Sequence, residues 1–250
     1  VRLTRRLLPV FASALRAATA SAFDVLWPPR CLACQGAAWD GPLPGLCGRC
    51  ADALPTLVAP CPRCGREAGL AAAVNPCSRC RSEAFDFEGV VAPLAYRGVA
   101  RDLVLSLKFA GRTPAAVPLG LLLADAVAQA RRPGDLLVPV PLSRARLRQR
   151  GFDQADELAR VVARGTGIRR GARALQRRRD TAPQSGLSRA GRRRNPRGAF
   201  AACRALVSGR CVVLVDDVVT TGATASACAR ALRRAGAVRV VLAAARARTR

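Results

Sequence analysis

Residues 211–236 read CVVLVDDVVTTGATASACARALRRAG, and this stretch decides the fold. It opens on an apolar run, Val212 to Val215, too short for a helix and closed by charge. That is how a strand buried on both faces of a parallel sheet reads. Asp216 and Asp217 follow, then Val218 and Val219, then the small, hydroxyl-rich segment Thr220-Thr221-Gly222-Ala223-Thr224. The alanine-rich sequence beyond sets Cys228 and Leu232 on one face of a helix that Gly236 stops. Val238 to Ala245 then supplies a second, mostly apolar strand.

The chemistry follows from that order. A loop of small residues at a helix N-terminus aims several backbone N–H groups, and the positive end of the helix dipole, at one spot that suits a phosphate. Two carboxylates at the C-terminal edge of a strand repel a lone phosphate but suit vicinal hydroxyls or a divalent cation. A ribose 5-phosphate meets both demands. The plainer reading of the same residues is an ordinary strand–turn–helix with incidental acids. No GxxxxGK[ST] occurs, and the glycines at 165, 167 and 171 have the wrong spacing for a dinucleotide fingerprint.

VVLVDDVVTTGAT resembles the signature of type I phosphoribosyltransferases, which bind phosphoribosyl pyrophosphate (PRPP). The resemblance implies that Asp216 and Asp217 hold the ribose 2- and 3-hydroxyls and are the candidate catalytic pair. Val218, Thr220, Thr221, Gly222, Ala223 and Thr224 would then wrap the 5-phosphate.

Composition narrows the function classes. The chain has 250 residues, 42 of them basic and 16 acidic, a formal net charge of +26 and no histidine. Histidine-based catalysis and imidazole zinc sites are therefore excluded. Such a charge attracts polyanions, whether nucleic acid, acidic membrane or small phosphates. A coding bias toward arginine explains arginine over lysine but not the shortage of acids. Aromatic residues are 4% of the chain, too few for extended base stacking on single strands.

Cys31–Cys34, Cys47–Cys50, Cys61–Cys64 and Cys77–Cys80 form four CxxC pairs, with twelve residues between the first and second and twelve between the third and fourth. The repeat reads as a duplicated zinc ribbon with two structural, all-thiolate ions and no open position for catalysis. Disulfides and an iron–sulfur cluster are the competing readings. Sequential pairing follows the repeat, and a cross-brace is the alternative. Arg49, Arg63 and Arg79 sit inside the knuckles, where they can offset thiolate charge. Segment 28–84 is poor in large apolar residues, so zinc is expected to fold it. Residues 1–27 read as an amphipathic helix, or as a secretory signal cut short by Arg16, and no stretch is expected to span a membrane.

Between these regions, Gly89–Tyr96 reads as a strand, Arg101–Phe109 and Leu119–Ala130 as helices, and Asp135–Pro141 as a further strand. Lys108 is the sole lysine, which invites a site role. The loop carrying Ser143 and Arg144, in the place where phosphoribosyltransferases hold pyrophosphate, precedes arginines at every second position up to Arg150; a solvated edge is the other reading of that pattern. Residues 177–200 carry eight arginines against Asp180, and read as a loop.

These pieces together resemble the ComF family, linked to DNA uptake in natural competence. The matching motifs are Trp27-Pro28, Leu107-Lys108-Phe109, VPVPLSRARLRQRGFDQA, Asp180-Thr181-Ala182-Pro183-Gln184 and VVLVDDVVTTGAT; the family usually shows Asn where Asp153 stands. The resemblance implies an α/β fold: a double zinc ribbon at 28–84, then a doubly wound, mostly parallel phosphoribosyltransferase-like sheet at 85–250 with an arginine-rich hood at about 165–210. It implies PRPP with Mg²⁺, single-stranded DNA, and a competence helicase or other DNA-uptake protein as partners. It also implies a cytoplasmic location without stable membrane insertion. Phosphoribosyl transfer to a nitrogen acceptor is the alternative activity.

Overall fold

A computed structural model describes residues 29–38, 41–68, 77–109, 111–130, 136–180 and 198–247. The expected N-terminal helix, Trp27-Pro28, residues 181–184 of the DTAPQ motif and the middle of the arginine-rich segment lie outside the described residues. In chain order the elements are α1 (Gly48–Asp52), α2 (Ser78–Ser82), β1 (Val90–Val91), β2 (Leu94–Ala95), α3 (Gly98–Phe109), α4 (Ala116–Ala130) and β3 (Leu136–Pro139). They continue with α5 (Arg144–Arg150), α6 (Gln154–Thr166), β4 (Leu175–Arg177), β5 (Phe200–Ala202), α7 (Arg204–Val207), β6 (Cys211–Val219), α8 (Ala223–Arg234) and β7 (Arg239–Ala247).

The main sheet is parallel, in the order β1-β7-β6-β3, and β2 continues β1 along β7. The expected strand at 89–96 is thus two short pieces in one register (Val90 opposite Leu242, Leu94 opposite Arg246), interrupted around Pro93, which has no N–H to give the ladder. On the far side of β3, Leu137 forms a parallel bridge with Arg170.

β6 is longer than its apolar core suggests. It runs through both aspartates to Val219, with β3 paired to its first half and β7 to nearly its whole length. Its side chains alternate between two cores, because successive residues of a strand face opposite ways. Val213 and Val215 join α3, α4 and α6 on one face, while Val212 and Leu214 join α8 on the other. Burying a side chain such as Leu214, 0% exposed, contributes about 1.5–3 kcal/mol.

Helix ends follow their sequence signals. Gly236, at φ +96°, ends α8: its N–H reaches Arg233 O and that of Ala237 reaches Leu232 O, satisfying carbonyls at the terminus. Residues Thr113–Ala130, a 3-10 turn running into α4, are long and apolar enough to cross a membrane by length and composition, contrary to the sequence expectation. In this fold Leu119, Leu123 and Val127 pack in the core beneath the sheet. α4 approaches α6 closely at Gly120, where an added Cβ would lie 2.6 Å from Val161 Cβ. Gly120→Ala is accordingly expected to cost about 1–3 kcal/mol by overpacking, read as a lowered urea midpoint; an unchanged midpoint would mean the two helices separate freely.

Candidate functional site

Because β6 alternates, its two acids leave the sheet on different sides. Asp217 shares the α3 side, is 8% exposed, and pairs with Lys108 Nζ at 2.5 Å. Lys108 reaches it from the last turn of α3. Asp216, on the α8 side, accepts a 2.8 Å bond from the Asp217 N–H. Burial, and next the charge of Asp217, push the Asp216 carboxyl well above the usual carboxylate range, against the pull of Lys108. Neighbouring carboxylates in a partly dry site do not both ionise readily, and a cation bound between them would favour their ionised forms.

The loop beyond turns on Gly222 (φ +73°), which caps α8 from the left-handed region. Thr221 Oγ1 accepts the Ala223 N–H at 3.4 Å. On the carbonyl side, Arg79 donates to Thr220 O at 3.3 Å and Thr221 O at 2.7 Å. Sequence reading placed Arg79 opposite the thiolates; its guanidinium instead reaches out of the knuckle to this loop. Phe85 and Phe87 back the loop, their rings 5.0 Å apart. Neither Arg79 nor these rings carried a sequence signal beyond the repeated arginine of the knuckles, because the contact spans 142 residues.

The loop after β3 leaves the sheet beside β6, where Val140 N–H bonds Val215 O. Ser143 and Arg144 are therefore brought to the same sheet edge as the acids. The alternating arginines are not in a loop: residues 144–150 form α5, with Arg144, Arg146 and Arg148 exposed as the solvated-edge reading has them, and Ser143 is its N-cap, accepting from Arg146 N–H at 3.3 Å. Asp153 is explained by its acceptors. Oδ1 takes the N–H groups of Ala155 and Asp156, capping α6, while Oδ2 takes that of Leu142 at 2.9 Å. An asparagine would keep one oxygen for these bonds and would turn an NH₂ toward the other donors. Arg150 lies 5.4 Å from the centroid of the exposed Phe109 ring, beside Lys108. β4 and β5, which flank the arginine-rich segment, pair as an antiparallel ribbon, with Arg177 over the Phe200 ring.

The eight cysteines gather as Cys31, Cys34, Cys47, Cys50 and as Cys61, Cys64, Cys77, Cys80. This is sequential pairing, not the cross-brace. Within each cluster the sulfurs lie within 4.8 Å of one another, with contacts of 3.8 Å (Cys34–Cys47), 3.9 Å (Cys61–Cys80) and 3.6 Å (Cys64–Cys77). A tetrahedral ion with Zn–S bonds of about 2.3 Å needs sulfurs about 3.8 Å apart. Both donor sets fit structural zinc. The two clusters sit differently: Cys31 and Cys50 pack into the α3–α4–α6 core with Leu43 and Leu46, whereas the second lies by Ala68 and Phe85.

A parallel α/β sheet with paired acids and a small-residue turn at the end of a central strand, preceded by two four-cysteine clusters, defines a phosphoribosyltransferase-like domain carrying a zinc-ribbon module. Residues 22–81 match the double zinc ribbon domain. The chain is 36% identical over 201 residues to the DNA utilization protein YhgH of Salmonella typhi, spanning 78% of this chain and 87% of that one. It is 38% identical over 125 residues to competence protein F of Haemophilus influenzae, spanning 47% and 55% respectively. A glutamine PRPP amidotransferase from B. subtilis shares 29% identity over 50% of this chain and 24% of its own, with a TM-score of 0.34. The chain belongs to the ComF family.

Proton competition gives a test of the zinc sites. On Cys31, burial, which raises the pKa, is outweighed by backbone bonds around Cys34, Cys47 and Ala33, and the thiol is lowered to about 6. Cys50 is pushed up to about 12 and Cys64 to about 11, in both cases chiefly by burial. Near neutral pH the metal-free clusters thus still carry thiol protons, which zinc must expel. Zinc loading is expected to release protons, and retention to weaken as pH falls. Titration in weak buffer with metal analysis across a pH series checks this; retention independent of pH would refute thiolate coordination.

Proposed function

We propose that the chain binds PRPP with Mg²⁺ at the end of β6 and single-stranded DNA on its basic surface, as a cytoplasmic accessory of DNA uptake. One observation carries the PRPP part: Asp216, Asp217, Lys108 and the turn at Gly222 share one sheet edge, with a helix N-terminus behind the turn. In this reading the 5-phosphate lies against the backbone and hydroxyls of Thr220–Thr224, flanked by Val218. The ribose diol lies at the two aspartates, and Ser143 and Arg144 meet the pyrophosphate. Mg²⁺, when bound with PRPP, neutralises pyrophosphate charge. Lys108 holds the Asp217 charge in place in the meantime. The names of the relatives, DNA utilization protein and competence protein F, support the DNA part, as does the net charge of +26. A competence helicase or another DNA-uptake protein is the partner this role implies.

Phosphoribosyl transfer to a nitrogen acceptor is the second reading, favoured by the intact pair of acids. There the pair would stabilise the cation-like ribosyl centre by its charge. Pyrophosphate release over a panel of acceptors separates transfer from binding alone.

PRPP–Mg is expected to raise the melting temperature of the wild-type chain and to leave Asp216→Ala/Asp217→Ala unmoved; equal protection of both would remove the site from β6. Because burial and Asp217 raise the Asp216 pKa, PRPP–Mg binding should weaken, with linked proton release, as pH falls through that raised pKa. Calorimetry in buffers of different ionisation enthalpy measures this, and a heat independent of buffer would contradict it. For DNA, affinity for an oligo(dT) should fall steeply and linearly with log salt; a flat response would exclude phosphate contacts as its basis.

A further inference from the structure

The second cysteine cluster and the candidate phosphate loop meet through one side chain. Arg79 lies in α2 between Cys77 and Cys80, and its side chain is 10% exposed. Nε donates to Glu83 Oε2 at 3.0 Å, and the guanidinium carbon stands 5.5 Å from the Phe85 ring centroid. Its two terminal nitrogens take Thr220 O and Thr221 O. A guanidinium held on its Nε side by a buried carboxylate and on its face by a ring has little freedom to turn its fork elsewhere.

The consequence lies in the geometry of the trans peptide. C=O and N–H point in opposite directions across one plane. Thr220 O shares its plane with the Thr221 N–H, and Thr221 O shares its plane with the Gly222 N–H. By pinning both carbonyls toward the ribbon, Arg79 turns both N–H groups away from it. The backing is tight on the same side: a Cβ on Gly222 would lie 3.0 Å from Phe85 Cε1 and 3.3 Å from Phe87 Cζ. The strand of chain between them is also fastened to α8. Asp86 accepts from Ser226 Oγ at 2.6 Å and from Arg230 at 2.7 and 3.1 Å, and its carbonyl accepts from Arg233.

We propose that Arg79 is a positioning residue for the loop at 220–224, and that zinc in the Cys61–Cys64–Cys77–Cys80 cluster is thermodynamically linked to ligand binding at that loop. Cys77 is the N-cap residue of α2 and Cys80 lies within it, so fixing these sulfurs fixes the helix that carries Arg79. The proposal rests on the PRPP reading of the site. Linkage is reciprocal: if this zinc favours PRPP–Mg, PRPP–Mg retards loss of this zinc. The first cluster, packed in the α3–α4–α6 core, is the internal control.

The test uses the full chain as wild type, Arg79→Ala and Arg79→Lys, each checked for two bound zinc ions. Amide exchange over 219–226, PRPP–Mg affinity by calorimetry, and zinc transfer to a chromogenic chelator with and without PRPP–Mg are measured. Arg79→Ala should keep both ions, exchange faster at Ala223 and Ser226, whose N–H groups bond Thr221 Oγ1 and Gly222 O, and bind PRPP–Mg roughly tenfold more weakly. In the wild type, PRPP–Mg should slow release of one zinc of the two, and in Arg79→Ala of neither. Lysine, a single point donor, should recover only part of the exchange protection. Unchanged exchange and affinity in Arg79→Ala, or equal slowing of both zincs, would overturn the proposal. If Arg79→Ala fails to hold its second zinc, Arg79→Lys carries the same comparison. A wild type that binds no PRPP–Mg would refute the PRPP reading, while the exchange data would still decide whether Arg79 orders the loop.

Discussion

A strand with neighbours on both sides and cores above and below can carry polar chemistry only where it leaves the sheet. β6 is that strand. Four of its residues, Val212 to Val215, are buried to 6% exposure or less, and every backbone group in that stretch faces β3 or β7. The next residues are the two acids, and the strict alternation of the strand sends them to different faces. From that follow the pairing of Asp217 with a helix on one side and the placing of Asp216 toward α8 on the other. The turn at Gly222 then brings the start of α8 back over the same edge.

The zinc ribbon is not a bead on a string in this arrangement. Its first half contributes Cys31, Leu43, Leu46 and Cys50 to one core of the sheet domain. Its second half reaches the loop beyond β6 through Arg79, Phe85 and Asp86. A small module rich in Gly and Pro has too little apolar surface to order itself, and metal ligation replaces the missing core.

Much of this was legible in the sequence because it is written locally. The strand–turn–helix at 211–236, the CxxC repeat and the lone lysine each announce themselves within a few residues. Lys108 proves to touch Asp217, a contact that its rarity hinted at but could not locate. What stayed hidden is what depends on distant partners. Alternating arginines at 144–150 suit a helix once Ser143 caps it, and only the fold shows Asp153 tying that loop to α6. Arg79 suggests a counter-ion for thiolates because its neighbours in sequence are cysteines, whereas its partners in space are Glu83 and the carbonyls of the β6 loop. β6 is longer than its sequence indicates for a similar reason: paired aspartates argue against strand, yet the ladder with β7 continues past them.

The claim at the centre is that the edge of β6 is shaped for a phosphorylated ribose. A crystal structure of the wild-type chain with PRPP and Mg²⁺ tests it most directly. The 5-phosphate is expected within hydrogen-bond reach of the 220–224 backbone, and the ribose hydroxyls at Asp216 and Asp217. Ligand density on the arginine-rich face, with Lys108 still closed on Asp217 and the loop empty, would contradict it.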